Sequence, residues 1–249
     1  MKTYLSILFL SLLYLNINYT AVNAKKYYVN DIIENKLTIN KKFEMDLPDG
    51  KWVVAVSESS YYYGLTGKGL TLVRLEDNLL VEAISVYEIK TAGIYEHQVN
   101  QAINEALFRN KYDGCYDRPE YSIIKFYARG TTHNCFWIYH TDVYKELFTP
   151  DDPESMSDNS KFMRWIKSNK VQLPKVALNS DHSYFSRLVN GKWFSVSYII
   201  DPKILSAPVN KFITEETSEY HRNNISNYPE YNKIMEKWIS ISAQRHIEF

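Results

Sequence analysis

The chain has 249 residues and carries 29 basic and 29 acidic side chains, so its formal net charge is zero. This balance argues against nucleic acid or an anionic membrane surface as the main partner. Aromatic residues make up 15% of the chain, and 21 of its residues are tyrosines. We interpret this aromatic content as a sign of β-strands first and of ligand contacts second.

The start of the chain has the parts of a secretory signal peptide. Lys2 supplies a positive charge, and residues 4–15 form an apolar run that is too short for a bilayer, which takes about 20 residues. Small side chains at Val22 and Ala24 fit a signal peptidase. We therefore expect residues 1–24 to be removed, leaving one domain over residues 25–249 that works in the periplasm or outside the cell. The alternative is an uncleaved N-terminal anchor; no later segment predicts a transmembrane helix.

The chain has two cysteines, Cys115 and Cys135. In an oxidising compartment, an even pair without the spacing of a metal site predicts one disulfide. Closing a loop of about 20 residues would contribute on the order of 3 kcal/mol. The competing hypothesis is a metal site, because His133 and Cys135 would share one face of a strand. We expect the disulfide, and neither a metal nor a cofactor.

The hydrophobic pattern predicts an α+β fold, in which about three helices cover an antiparallel-rich sheet of about six to eight strands. Apolar residues three and four apart predict helices over residues 94–108, 160–169 and 229–245. Gly64, Gly67 and Gly69 predict a loop. Runs rich in β-branched and aromatic residues predict strands over residues 43–47, 52–57, 70–75, 79–89, 121–127, 134–141, 184–189 and 192–200.

The last two predicted strands flank Asn190-Gly191, the dipeptide favoured in two-residue hairpin turns because both residues tolerate positive φ. Such a turn would pair Leu188 with Trp193 and divide the hairpin into two faces. The core face would carry Phe185, Phe194, Val196, Tyr198 and Ile200. The other face would carry Tyr184, Ser186, Trp193, Ser195 and Ser197.

We expect this second face to bind a small polar ligand, because aromatic rings beside hydroxyl groups suit sugars and short polar molecules. The alternative is that a helix packs over Trp193, since small serines let a helix approach a sheet closely.

Charged residues and histidines supply weaker candidates. One helix is predicted to carry a basic face next to an acidic loop, formed by Lys161, Arg164, Lys167 and Lys170. This face is either a solvated surface or a site that binds an anion or a partner. His140 lies two residues before Asp142 on a predicted strand, and His182 adjoins Asp181 near two serines. Neither arrangement has the spacing of a known catalytic or metal motif.

We therefore expect an exported, non-catalytic protein that binds a small polar ligand or an envelope component. The alternative is a secreted hydrolase that uses scattered His, Asp and Ser residues. A deep pocket lined by His140, Asp142 or His182 would favour the enzyme, and a shallow aromatic face would favour binding.

Overall fold

The computed structural model describes residues 26–40, 43–62, 65–91, 122–129, 132–143, 158–186, 192–211 and 214–247. Its strands are β1 Ile32–Ile33, β2 Lys36–Asn40, β3 Phe43–Asp46, β4 Trp52–Tyr62, β5 Leu65–Glu76, β6 Leu79–Thr91, β7 Ser122–Arg129, β8 Thr132–Asp142, β9 Val176–Ser186 and β10 Lys192–Ile200. Its helices are α1 Asp158–Ser168 and α2 Pro229–Ile247, and 3-10 turns lie at Pro202–Leu205, Glu215–Thr217 and Ile225–Asn227.

An antiparallel sheet with the strand order β1-β4-β5-β6-β10-β9-β8-β7 forms the centre of the molecule. Strand β1 adds only two residues to it, and β2 and β3 pair separately. The predicted α+β class is confirmed, and α1 and α2 correspond to the helices predicted over residues 160–169 and 229–245. The predicted helix over residues 94–108 lies outside the described residues.

The predictions about export and the disulfide also fall outside the description. Residues 1–24, Cys115 and the side chain of Cys135 are not among the described parts, so the signal peptide and the disulfide stay predictions. In the described residues no helix is long and apolar enough to cross a membrane.

Strand β5 replaces the loop that the glycines predicted. Gly67 and Gly69 lie inside β5, opposite Ser60 and Glu58 of β4. A Cβ atom at Gly69 would lie 2.9 Å from Oε1 of Glu58 and 3.3 Å from the Tyr87 ring. Glycine therefore makes room at this position for two neighbouring side chains, and the loop prediction is wrong for these two glycines.

Apolar side chains cover both faces of the sheet, as expected for strands buried on two sides. On the face toward α2 the core is built from large residues, among them Trp52, Leu72, Ile84, Phe136, Leu178, Tyr198, Met235 and Trp238. On the face toward α1 the strands contribute smaller residues, which pack with the helix; this cluster includes Ala55, Val73, Ala83, Ala177, Phe162, Trp165 and Ile166. Small strand residues leave space on the α1 face.

The register of the β9–β10 hairpin differs from the prediction. Phe185, rather than Leu188, lies opposite Trp193, and Ser186 is paired with Lys192. The shift is an odd number of residues, so it moves the side chains of β9 to the opposite faces of the sheet. Tyr184 consequently pairs with Phe194, on the face toward α2, and the predicted grouping of Tyr184 with Ser195 is wrong.

Candidate binding site

A row of hydroxyl groups crosses four neighbouring strands on the face toward α1. Thr71 of β5 pairs with Ser85 of β6, Ser85 pairs with Ser197 of β10, and Ser197 pairs with Asp181 of β9. Directly paired residues project from the same face of a sheet. Across these four strands the row therefore holds three hydroxyls and one carboxylate. Oγ1 of Thr71 and Oγ of Ser85 are 3.1 Å apart and form a hydrogen bond.

Two further rows flank this hydroxyl row. One row begins with three apolar residues, Val73 of β5, Ala83 of β6 and Ile199 of β10. It continues with Asn179 of β9 and Tyr139 of β8. Nδ2 of Asn179 donates a hydrogen bond of 2.7 Å to Oγ1 of Thr141. The other row contains Gly69, Tyr87, Ser195 and Ser183. Small and polar residues thus outnumber large apolar ones in the middle of this face.

These rows, apart from Val73 and Ser183, line a cavity of about 330 Å³. Phe162 of α1 and Pro174 contribute apolar wall, and Tyr87 and Tyr139 contribute aromatic rings. Three acidic side chains line the cavity, those of Glu58, Asp181 and Asp201. Glu82 also borders it, but its carboxylate lies on the α2 face, where Arg245 binds it. Among the lining residues that the structure describes, none is a lysine, an arginine or a histidine. The cavity wall is therefore largely apolar with a few polar groups, and its charged lining residues are acidic.

Glu58 and Glu82 form ion pairs with cations among the described residues. Glu58 forms an ion pair with Lys161 of α1, which joins the helix to the sheet. Glu82 is bridged by Nε of Arg74 at 2.9 Å and by a guanidinium nitrogen of Arg245 at 3.5 Å. These pairs neutralise the two glutamates and hold them in place.

Asp201 is different, because its carboxylate is only half satisfied. Oδ1 accepts a hydrogen bond of 2.9 Å from the backbone N–H of Lys203 and caps the 3-10 turn. Oδ2 is buried, and no hydrogen-bond partner for it exists in the described part of the chain. Burial raises the pKa of this carboxyl above its ordinary value.

The structure brings together some of the predicted ligand residues and separates others. Ser195 and Ser197 line the cavity. Tyr184 lies on the other face and is 37% exposed. For Ser186 and Trp193 only the backbone is described, so the exposure of Trp193 stays a prediction. Sequence reasoning missed Thr71 and Ser85, although their alternation within predicted strands was visible, and it named Asp181 only beside His182, outside the strand predicted over residues 184–189.

The predicted basic face of α1 is divided. Lys161 is bound to Glu58 at the sheet, whereas Arg164, Lys167 and Lys170 are exposed. Lys170 lies beyond the end of the helix and has a φ of 53°. The four residues therefore do not form one continuous basic strip. Whether the exposed ones meet an anion or a partner stays a prediction.

The histidines that suggested a hydrolase lie apart from the cavity. Asp181 faces the cavity, but His182 belongs to the opposite face and packs against His246 of α2 with ring centroids 5.1 Å apart. His140 is buried beside Tyr220 and lies 3.4 Å from the carbonyl oxygen of Glu215. Within the described ranges no three His, Cys, Asp or Glu residues are grouped as metal ligands. The side chains of His133 and Cys135 are outside those ranges.

Ser180 and His246 come closest to a nucleophile and base, since Oγ of Ser180 lies 3.4 Å from Nε2 of His246. Ser180 is fully buried beneath α2. Burial, the first cause, and the charges of His182 and Arg245 lower the pKa of His246 to about 2. A substrate could reach this pair only if α2 moved away from the sheet.

Comparisons of the chain with protein-family models, with curated proteins and with solved structures find no match.

Proposed function

We propose that this is an exported, non-catalytic protein that binds a small polar ligand in the cavity between the sheet and α1. The observation that carries the proposal is the row of Thr71, Ser85, Ser197 and Asp181, which lines the cavity. Hydroxyl groups both donate and accept hydrogen bonds, and strands hold them at fixed spacing. A concave site with apolar walls and a few convergent polar groups is the usual form of a small-molecule site.

The alternative, a hydrolase, receives less support from the same geometry. Catalysis by a nucleophile needs a base within hydrogen-bond reach and access for the substrate. Alternation along β9 sends Asp181 and His182 to opposite faces. The Ser180–His246 contact is fully covered. The cavity offers hydroxyls and carboxylates without a histidine among its described lining residues.

A thermal-shift screen of the mature protein tests the proposal. Sugars, amines, amino acids, short peptides and metal salts would each be added, because a ligand that binds only the folded state raises the Tm. We expect at least one organic compound to raise the Tm, and Ser197→Ala to weaken its binding about 2- to 10-fold by removing one hydrogen bond. Ser240→Ala, at an exposed position on α2, is the matched control.

The proposal does not survive if no organic compound in the screen shifts the Tm. It also fails if every compound that does so binds the Ser197→Ala variant as tightly as the wild type.

Export is part of the proposal and has its own test. The apolar run of residues 4–15 and the small residues before Lys25 support cleavage after Ala24. N-terminal sequencing of secreted protein should therefore begin at Lys25. Protein that is retained in membranes with its first residues intact would contradict this expectation.

A further inference from the structure

We infer that the ligand of the cavity is a small organic cation, an aliphatic diamine or polyamine whose ammonium groups meet Asp181 and Asp201. This inference rests on the proposed function, because it names the class of ligand for the same cavity. Its basis is the charge of the wall: the acidic side chains of Glu58, Asp181 and Asp201 line the cavity, and its described lining includes no basic side chain. An anionic ligand would meet repulsion there, and a cation would meet attraction.

The acidic residues are not equivalent, which indicates where ammonium groups would bind. Glu58 and Glu82 already have cationic partners from outside the lining, Lys161 for the first and Arg74 and Arg245 for the second. Asp201, in contrast, is only 3% exposed and holds a carboxylate oxygen that no described donor reaches. Burying such an oxygen without a partner is unfavourable, and an ammonium N–H would supply the missing donor.

Asp181 supplies the second anchor and lies among donors and acceptors that suit an amine. It is paired with Ser197 on the adjacent strand, and the hydroxyl row continues to Ser85 and Thr71. An ammonium group donates three hydrogen bonds, so it can satisfy a carboxylate and two hydroxyl oxygens together. Tyr87 and Tyr139 add ring faces to the same cavity, and aromatic faces attract cations.

The spacing of the two aspartates favours an extended ligand with two positive ends. Asp181 of β9 lies opposite Ser197 of β10, and Asp201 comes four residues after Ser197 in extended conformation. At about 3.3 Å per residue the two positions are roughly 13 Å apart. Between them lies Ile199, on the same face as the apolar residues Ala83 and Val73. A methylene chain would therefore cross an apolar stretch while its ends meet the carboxylates.

Isothermal titration calorimetry of the mature protein tests this inference with four probes: putrescine, spermidine, glucose and succinate. We expect spermidine to bind more tightly than putrescine, whose chain is too short to reach both aspartates. Spermidine should bind the Asp181→Asn variant at least 10-fold more weakly, and glucose and succinate should show no binding. Asp46→Asn changes an exposed aspartate on β3 and should leave the affinity unchanged. Binding should also weaken as the salt concentration rises.

Two further variants keep the test decisive if Asp181→Asn does not fold. Asp201→Asn keeps an oxygen for the Lys203 N–H and should weaken spermidine binding by at least 5-fold. Ser197→Lys would place a tethered ammonium group beside Asp181 and should abolish spermidine binding.

The inference is overturned if neither amine binds, or if both aspartate variants bind spermidine as the wild type does. Glucose binding that is lost in Ser197→Ala would also overturn it, while leaving the proposed function in place. If no compound of any class binds, both fail.

Discussion

Glu82 carries a carboxylate into the layer between the sheet and α2, where its side chain is only 5% exposed. Nε of Arg74 lies 2.9 Å from one oxygen, and Arg245 of α2 reaches the other at 3.5 Å. The guanidinium of Arg245 also lies over the rings of Tyr198 and Trp238, at 5.1 and 5.7 Å from their centroids. The buried Glu82 thus links β5 and β6 to α2, and the two arginines neutralise its charge.

Replacing this acid should destabilise the protein. Glu82→Gln keeps the shape of the side chain but leaves two arginines without their carboxylate, so we expect the free energy of unfolding to fall by about 1–3 kcal/mol. Urea denaturation followed by tryptophan fluorescence measures the change. The control Glu34→Gln, at an exposed position, should stay within about 0.5 kcal/mol of the wild type. An equal stability of Glu82→Gln and the control would show that Glu82 does not connect the sheet to α2.

At the scale of elements, two turns show what local sequence can and cannot determine. Asp77 and Asn78 connect β5 and β6 with φ of 48° and 66°, and Glu76 pairs with Leu79. This hairpin was predicted, and both turn residues are types that tolerate positive φ. Asn190-Gly191 carries the stronger signal, yet the described ladder pairs Ser186 with Lys192 and so has a different register from the one that this dipeptide predicted.

The difference between the two hairpins lies in their neighbours. Strand β9 is also paired with β8 along its whole length, from Thr132 opposite Ser186 to Asp142 opposite Val176. Its register therefore has to satisfy two partners and the burial of Leu178 and Ser180 on the α2 face. Turn chemistry near residue 190 contributes only one of these constraints. Tertiary pairing overrides a turn preference when the two conflict.

Buried histidines make the packing of α2 and of the 3-10 turn at Glu215–Thr217 sensitive to pH. Burial lowers the pKa of His246 to about 2 and that of His140 to about 4, from an ordinary value of 6.5. His246 packs against Phe136 and Tyr198, with ring centroids 4.7 and 5.2 Å apart. Below pH 6.5 the unfolded chain binds protons that the folded chain does not.

Stability should therefore be highest above pH 6.5 and should fall as the pH drops from 6.5 toward 4. Each buried histidine contributes a slope of up to about 1.4 kcal/mol per pH unit in this window. His246→Phe keeps an aromatic ring but cannot take up a proton, so the slope should decrease by up to that amount. Urea denaturation at pH 4.5, 5.5, 6.5 and 8 measures the slope. An unchanged slope in the variant would contradict the role given to His246.

At the scale of the whole molecule, the two faces of the sheet have different characters. The α2 face is filled by large side chains such as Trp52, Phe136 and Trp238, which are almost completely buried. The α1 face combines alanines and serines with a short helix and leaves a cavity of about 330 Å³. A densely packed face stabilises the fold, and the other face is free to carry polar groups.

The sequence predicted much of the fold but only part of the candidate site. Periodicity within a segment predicts α1, α2 and most strands. It also places Ser195 and Ser197 on the face of β10 that does not carry the core residues. Thr71, Ser85 and Asp181 join them through strand pairings between segments far apart in the chain. No local pattern encodes such pairings, so the hydroxyl row could not be read from the sequence alone.

A crystal structure of the mature protein with the best compound from the thermal-shift screen tests the central claim most directly. We expect the compound in the cavity on the α1 face, within hydrogen-bond distance of the Ser197 hydroxyl and the Asp181 carboxylate. A compound bound on the α2 face, or at any other position while the cavity holds only water, would contradict the account.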